Sequence, residues 1–259
     1  MEVRQSAVLN KLRSGDVVIC TKINTADSRV IEIASAAGFD CVWTDMEHIG
    51  NDFSVIEKQV LAAHAHGADI VVRTARGSYS NHVRPLELNA DGIMVPHVMN
   101  LSDAENVIRM TRFHPIGRRP VDGGNADGGY CGVAFQDYLK QSNERKFVMM
   151  QIEDPEALDD LEAICSLPGV DVIFFGPADF SHGLGAPGDF KHPKVLHAKR
   201  TIAEMAVKHG KYAGTVGTAG DTPELYELGY RFISIGADVA GLKSYFSGLM
   251  AAYFEKIPG

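Results

Sequence analysis

Residues 146–176, KFVMMQIEDPEALDDLEAICSLPGVDVIFFG, carry the pattern that decides the fold. Two short apolar runs, KFVMMQI (146–152) and VDVIFFG (170–176), flank a segment whose Leu and Ile recur at helical spacing. Strands that are apolar on both faces suit a parallel sheet covered on each side, and Asp154-Pro155 suits a helix start. The same rhythm extends outward in both directions, with strands expected at 16–23, 40–46, 69–75, 92–98, 212–216 and 231–237. Helical periods fall between them, at 28–38, 53–67, 102–113, 194–210 and 237–257. Ser102 with Glu105 reads as a capping box, and Thr222-Pro223 as a cap followed by a first-turn proline. Gly38, Gly67 and Gly210 stand where helices should stop. Eight strand–helix units predict a (β/α)₈ TIM barrel, one domain over residues 1–259.

Composition agrees with that reading. With 45% hydrophobic and 22% charged residues, the 259-residue chain is too apolar for disorder and too varied for a coiled coil. A net charge of −8 argues against a nucleic-acid or anionic-membrane partner. The four cysteines (Cys20, Cys41, Cys131, Cys165) form no C-x-x-C pair. The first residues are charged, and no run of 18 apolar residues occurs, so a cytoplasmic protein with reduced, mostly buried thiols is expected.

In such a barrel the active site lies where the strands end. The expected strand ends hold Asp45, Glu47 and His48, then Arg73, then Gln151 and Glu153, then Asp179 in GPADF. Glu153 and Asp179 are hard oxygen donors on adjacent strands, suited to Mg²⁺, Mn²⁺ or Co²⁺. Their alternatives are a cap for Asp179 at the turn before Phe180-Ser181, or a general acid–base pair. His48 would need an acidic neighbour to act as a base. Arg73, leaving an apolar strand, must meet an anion: a developing oxyanion, or Asp45 or Glu47 in a structural pair. His64 and His66 read as surface residues of a helix. The Gly-rich connection at 114–132 breaks the rhythm and reads as a functional loop or lid.

AGFDCVWTDMEH (37–48), VVR (71–73), PLELNADGIMVPHV (85–98), MMQIED (149–154) and GVDVIFFGPADFS (169–181) together resemble the HpcH/HpaI aldolases, the class II pyruvate aldolases. The likeness runs from about residue 10 to 250. It implies a barrel that assembles as a trimer of dimers and exchanges its last helix between subunits. It also implies Glu153 and Asp179 as ligands of Mg²⁺, Mn²⁺ or Co²⁺, His48 as base, and Arg73 as the group that steadies an enolate. Gln151, with the backbone N–H groups of Ala178 and Asp179, would contact substrate. Asp45 and Glu47 would lie near metal-bound waters. Glu87 stands where the family carries an aspartate that pairs with the histidine. On the first strand Lys22 replaces a bulky apolar residue, and with Arg118 and Arg119 it could favour an acidic or phosphorylated acceptor.

The expected activity is reversible cleavage of a 4-hydroxy-2-oxo acid, such as a 2-keto-3-deoxy sugar acid or a hydroxy-oxo diacid, to pyruvate and an aldehyde. Three alternatives are a Schiff-base aldolase through Lys22, a citrate-lyase-like CoA thioester lyase, and a non-catalytic sugar-acid or metal-binding barrel. The aromatic-rich segment with Phe246, Leu249, Met250, Tyr253 and Phe254 could pack on its own barrel or on a neighbouring copy.

Overall fold

Eight parallel strands pair in chain order and β8 closes on β1 in this computed structural model, which describes residues 1–256. They are β1 (Val18–Lys22), β2 (Cys41–Asp45), β3 (Asp69–Arg73), β4 (Gly92–Val95), β5 (Phe147–Ile152), β6 (Val172–Phe175), β7 (Tyr212–Gly217) and β8 (Tyr230–Ala237). Helix α1 (Ala7–Arg13) precedes β1. The outer layer holds α2 (Ser28–Ala36), α3 (Phe53–Ala65), α4 (Tyr79–Glu87), α5 (Leu101–Thr111), α6 (Phe135–Arg145), α7 (Leu161–Ser166), α8 (Pro177–Gly183), α9 (Pro193–Lys208) and α10 (Thr222–Glu227). Helix α11 (Asp238–Lys256) follows β8, and Ile257 of the expected final helix lies outside the described residues.

Alternation along the strands sorts the side chains. Cys20, Trp43, Val71, Met149 and Phe174 face inward with Phe147 and Phe232, and Val8, Leu9 and Leu12 of α1 join this cluster, plugging the end where the strands begin. Truncating one of these phenylalanines to Ala should cost about 3–5 kcal/mol. Their neighbours Val148, Met150, Ile173 and Ile233 face the helices. One inward step beyond Cys20, Trp43, Val71 and Met149 stand Lys22, Asp45, Arg73 and Gln151. The barrel interior therefore turns from apolar to charged at its mouth.

Several local expectations shift. Helix α5 is capped by Asn100, whose side chain accepts the Asp103 N–H at 2.9 Å, and not by Ser102. Asp154-Pro155 opens only a short 3₁₀ turn, and the Asp154 side chain caps nothing there. Gly38, Gly67 and Gly210 do end helices, at φ +99°, +78° and +67°. All four cysteines are free, with Cys131 alone exposed. His64 is not a surface residue, because it bonds buried Asp91 at 2.8 Å.

The Gly-rich connection runs between α5 and α6, at the end of the barrel where strands begin. Arg119 is buried there against Asp127 at 2.7 Å and shares it with the Tyr138 hydroxyl. Within one chain the loop therefore covers no part of the mouth, and Arg119 is unavailable to an acceptor.

Helix α11 buries no side chain, and Tyr245, Phe246, Leu249, Met250, Tyr253 and Phe254 are all more than half exposed. Beside it, an apolar groove of about 580 Å³ runs over Ile23, Val30, Ile33, Ala34, Ala37 and Ile235. No helix among the described residues is long and apolar enough to cross a membrane.

Candidate active site

The turn after β2 is built by Asp45, whose Oδ1 accepts the Glu47 N–H at 2.9 Å and the His48 N–H at 3.4 Å. Arg73, on the adjacent strand, donates Nε to the same Oδ1 at 3.1 Å and Nη2 to Oδ2. Its Nε also lies 3.2 Å from Glu47 Oε2. The structural pair considered for Arg73 thus exists with both carboxylates, and the guanidinium still lines the mouth. Lys22 Nζ approaches Asp45 Oδ2 at 3.1 Å. The Trp43 ring lies beneath both cations, each 4.9 Å from its centroid. Burial opposes a charge on Asp45, but Arg73 and Lys22 outweigh it and hold the carboxyl at about 2.

Glu153, 1% exposed, accepts the His97 N–H at 3.0 Å and the Gln151 amide. Gly176 makes room for it: a Cβ there would stand 2.6 Å from Glu153 Oε2. Burial, with a further push from the charge of Asp179, raises the Glu153 carboxyl to about 7, against the opposing His97 N–H and Arg73. Asp179 lies in the first turn of α8, which has no side-chain cap, so Asp179 does not cap the helix as one alternative held. The early N–H groups of that turn, those of Ala178 and Asp179, have no helical acceptor.

His48 is 58% exposed on its side chain and lies 3.4 Å from Glu47 Oε2. A cavity of about 350 Å³ gathers His48, Arg73, Gln151, Glu153, Ala178 and Asp179, with Lys22 and Trp43 on its wall. Asp45 and Glu47 stand behind Arg73. Glu87 is not with them. It ends α4, near the start of β4, and its charge neighbours are Arg119, Asp127, Asp122 and Arg84. Within one chain it sits at the far end of the barrel from His48, and Glu47 is the carboxylate beside that ring.

Among the described residues no cluster of three or more His, Cys, Asp and Glu is arranged around a metal position. Two carboxylates suit a hard cation that keeps several waters or substrate oxygens, and they do not make a zinc cage. Buried Glu153, its carboxyl raised to about 7, and Gln151 Oε1, without a hydrogen-bond partner among the described residues, fit the lining of such a cation site. His97 went unremarked in the sequence. It reaches Asp154 at 3.0 Å, and burial, which opposes its charge, is outweighed by Asp154, Glu153 and Glu47, so its pKa is raised.

Comparison with known proteins supplies the lineage. The chain is 31% identical over 229 residues to a 2-keto-3-deoxy-L-rhamnonate aldolase of Escherichia coli, covering 88% of this chain and 85% of that one. It is 31% identical over 241 residues to a hydroxypyruvate/pyruvate aldolase of Pseudomonas aeruginosa, covering 93% and 90%. The crystal structure of an HpcH/HpaI aldolase from Desulfitobacterium hafniense superposes with TM-score 0.90 at 28% identity, over 97% of each chain. Residues 23–244 match the HpcH/HpaI aldolase/citrate lyase family as a whole. With a match of that extent and relatives at that identity, the chain belongs to the HpcH/HpaI aldolase/citrate lyase family.

Proposed function

We propose that the mouth of this barrel binds a 4-hydroxy-2-oxo acid beside a divalent cation held by Glu153 and Asp179, and cleaves it reversibly to pyruvate and an aldehyde. The chain is a carbon–carbon lyase, a class II aldolase acting on hydroxy-oxo acids. The observation that supports the residue assignment is the convergence of buried Glu153 with Asp179, Arg73 and His48 on one cavity. When bound, the cation supplies Lewis-acid polarisation of the 2-oxo group.

The protein residues account for the rest. Asp45 and Glu47 fix Arg73, so its guanidinium meets the enolate charge without reorganising. Gln151 offers its unpartnered Oε1 to substrate. The N–H groups of Ala178 and Asp179 can receive the carboxylate of the oxo acid. His48, open to the mouth, takes the 4-hydroxyl proton in cleavage or a C3 proton of pyruvate in synthesis. Cation-dependent exchange of the pyruvate C3 protons tests this reading; no exchange at high enzyme concentration overturns it.

Lys22 also stands in the cavity, but its amine is engaged by Asp45. Borohydride with pyruvate should therefore leave no adduct on Lys22.

The exposed aromatic face of α11 and the apolar groove beside it match each other in character. We infer that α11 of one copy fills the groove of another, within a homo-oligomer such as the trimer of dimers. A monomer by light scattering at micromolar concentration overturns this. Only another copy could bring Glu87 to His48. In that arrangement Glu87→Gln lowers turnover about 10- to 100-fold with little change in pyruvate affinity.

A further inference from the structure

His97, two residues beyond β4, joins strand ends that do not otherwise meet. Its backbone takes φ +50°, the left-handed region that non-glycine residues enter uncommonly, Asn, Asp and His more than the rest. This turn aims the His97 N–H at Glu153 Oε1, 3.0 Å away, and returns the Val98 N–H to the Gln151 carbonyl at 3.2 Å. The ring then lies among three carboxylates. Nδ1 is 3.0 Å from Asp154 and 3.7 Å from Glu153, and Nε2 is 3.6 Å from Glu47. Like charges this close repel, and a ring nitrogen facing each side fixes where they lie. His97 is not among the residues lining the mouth. It borders a neighbouring cavity of about 140 Å³ with Arg76 and His82.

We propose that His97 is a positioning residue for the cation site, tying Glu47 at the end of β2 to Asp154 at the end of β5 and fixing the Glu153 carboxylate between them. This rests on the reading of Glu153 and Asp179 as cation ligands. The ring lies outside the mouth lining and bonds the carboxylates behind it, so its effect is expected on cation affinity rather than on the chemical step.

The test is a titration of metal-free enzyme with Mn²⁺ alone, read by calorimetry and by the electron paramagnetic resonance of free Mn²⁺. His97→Gly keeps the left-handed backbone and the N–H to Glu153 but removes the ring. It should weaken Mn²⁺ binding about 10- to 100-fold, with kcat at saturating Mn²⁺ within about threefold of the parent. His97→Asn tolerates the same backbone and places an amide near the Nδ1 position, so it should recover part of the affinity. Unchanged Mn²⁺ affinity in folded His97→Gly overturns the proposal, as does a loss of kcat that saturating Mn²⁺ does not restore. Glu153→Gln separates the two levels. If it binds Mn²⁺ as the parent does, Glu153 is not a ligand and the proposal falls with that reading. If it loses Mn²⁺ while His97→Gly keeps it, the role of His97 alone fails.

Discussion

Both ends of the barrel bury carboxylates, and they treat them differently. Where the strands begin, Asp69 accepts from Arg4, the Ser6 hydroxyl and the N–H groups of Ala7 and Val8. Asp91, beside it, accepts from the same Arg4, from His64 and from the Ile70 N–H. Where the strands end, Glu153 has only the His97 N–H and the Gln151 amide, and Gln151 Oε1 has no hydrogen-bond partner among the described residues. Burial is alike for Asp69, Asp91 and Glu153, and the supply of donors separates them. Around Asp69 and Asp91 the protein supplies the donors, whereas Glu153 is left short of them, as a residue that meets a ligand would be.

Substitutions at the two ends should therefore fail in different ways. The largest effect is expected from Glu153→Gln: turnover falls at least about 10³-fold, some 4 kcal/mol in the barrier, while metal-free stability holds or rises. Pyruvate release and a thermal melt measure both, and retention of a tenth of the activity would break the comparison. His48→Asn should slow C3 proton exchange about 10²- to 10³-fold with cation affinity unchanged. Arg4→Ala is the counterpart at the other end. It leaves Asp69 and Asp91 facing each other and should cost about 2–3 kcal/mol in urea unfolding, discounted for the partial exposure of Arg4, with kcat per folded molecule unaltered.

A smaller, pH-dependent effect sharpens the contrast. Folding raises the Glu153 carboxyl from 4.5 to about 7. Its contribution to metal-free stability is thus whole below pH 4.5 and is lost as pH climbs through about 7. Cation binding needs the carboxylate and runs the other way, so Mn²⁺ affinity should fall about tenfold per pH unit below 7. Relative to Glu153→Gln, the metal-free parent should melt lower at pH 8 than at pH 5. A gap that ignores pH would show that Glu153 is not held near neutrality.

Much of this was legible in the chain because parallel strands impose alternation. Lys22, Asp45, Arg73 and Gln151 continue the inward register of Cys20, Trp43, Val71 and Met149, so their convergence follows once the barrel is recognised. The separation of Glu87 from His48 within one chain follows from the same logic. A helix between β3 and β4 runs back to the strand starts, and a residue a few positions before β4 must lie there. Other features had no local signal. The partner of His64 is Asp91, 27 positions on, and a left-handed histidine after β4 has no spacing that announces it. Asn100 caps α5 in place of Ser102 because the helix starts at Leu101, which puts Ser102 inside its first turn.

Trp43 is the one tryptophan in the chain, and its ring floors the mouth beneath Lys22 and Arg73. The protein therefore carries its own optical reporter at the place where chemistry is proposed to occur. Indole emission shifts with the charges around it, and no second indole contributes background. Titrations with pyruvate, with oxo acids or with Mn²⁺ can be followed in the untagged, unlabelled enzyme, independently of turnover.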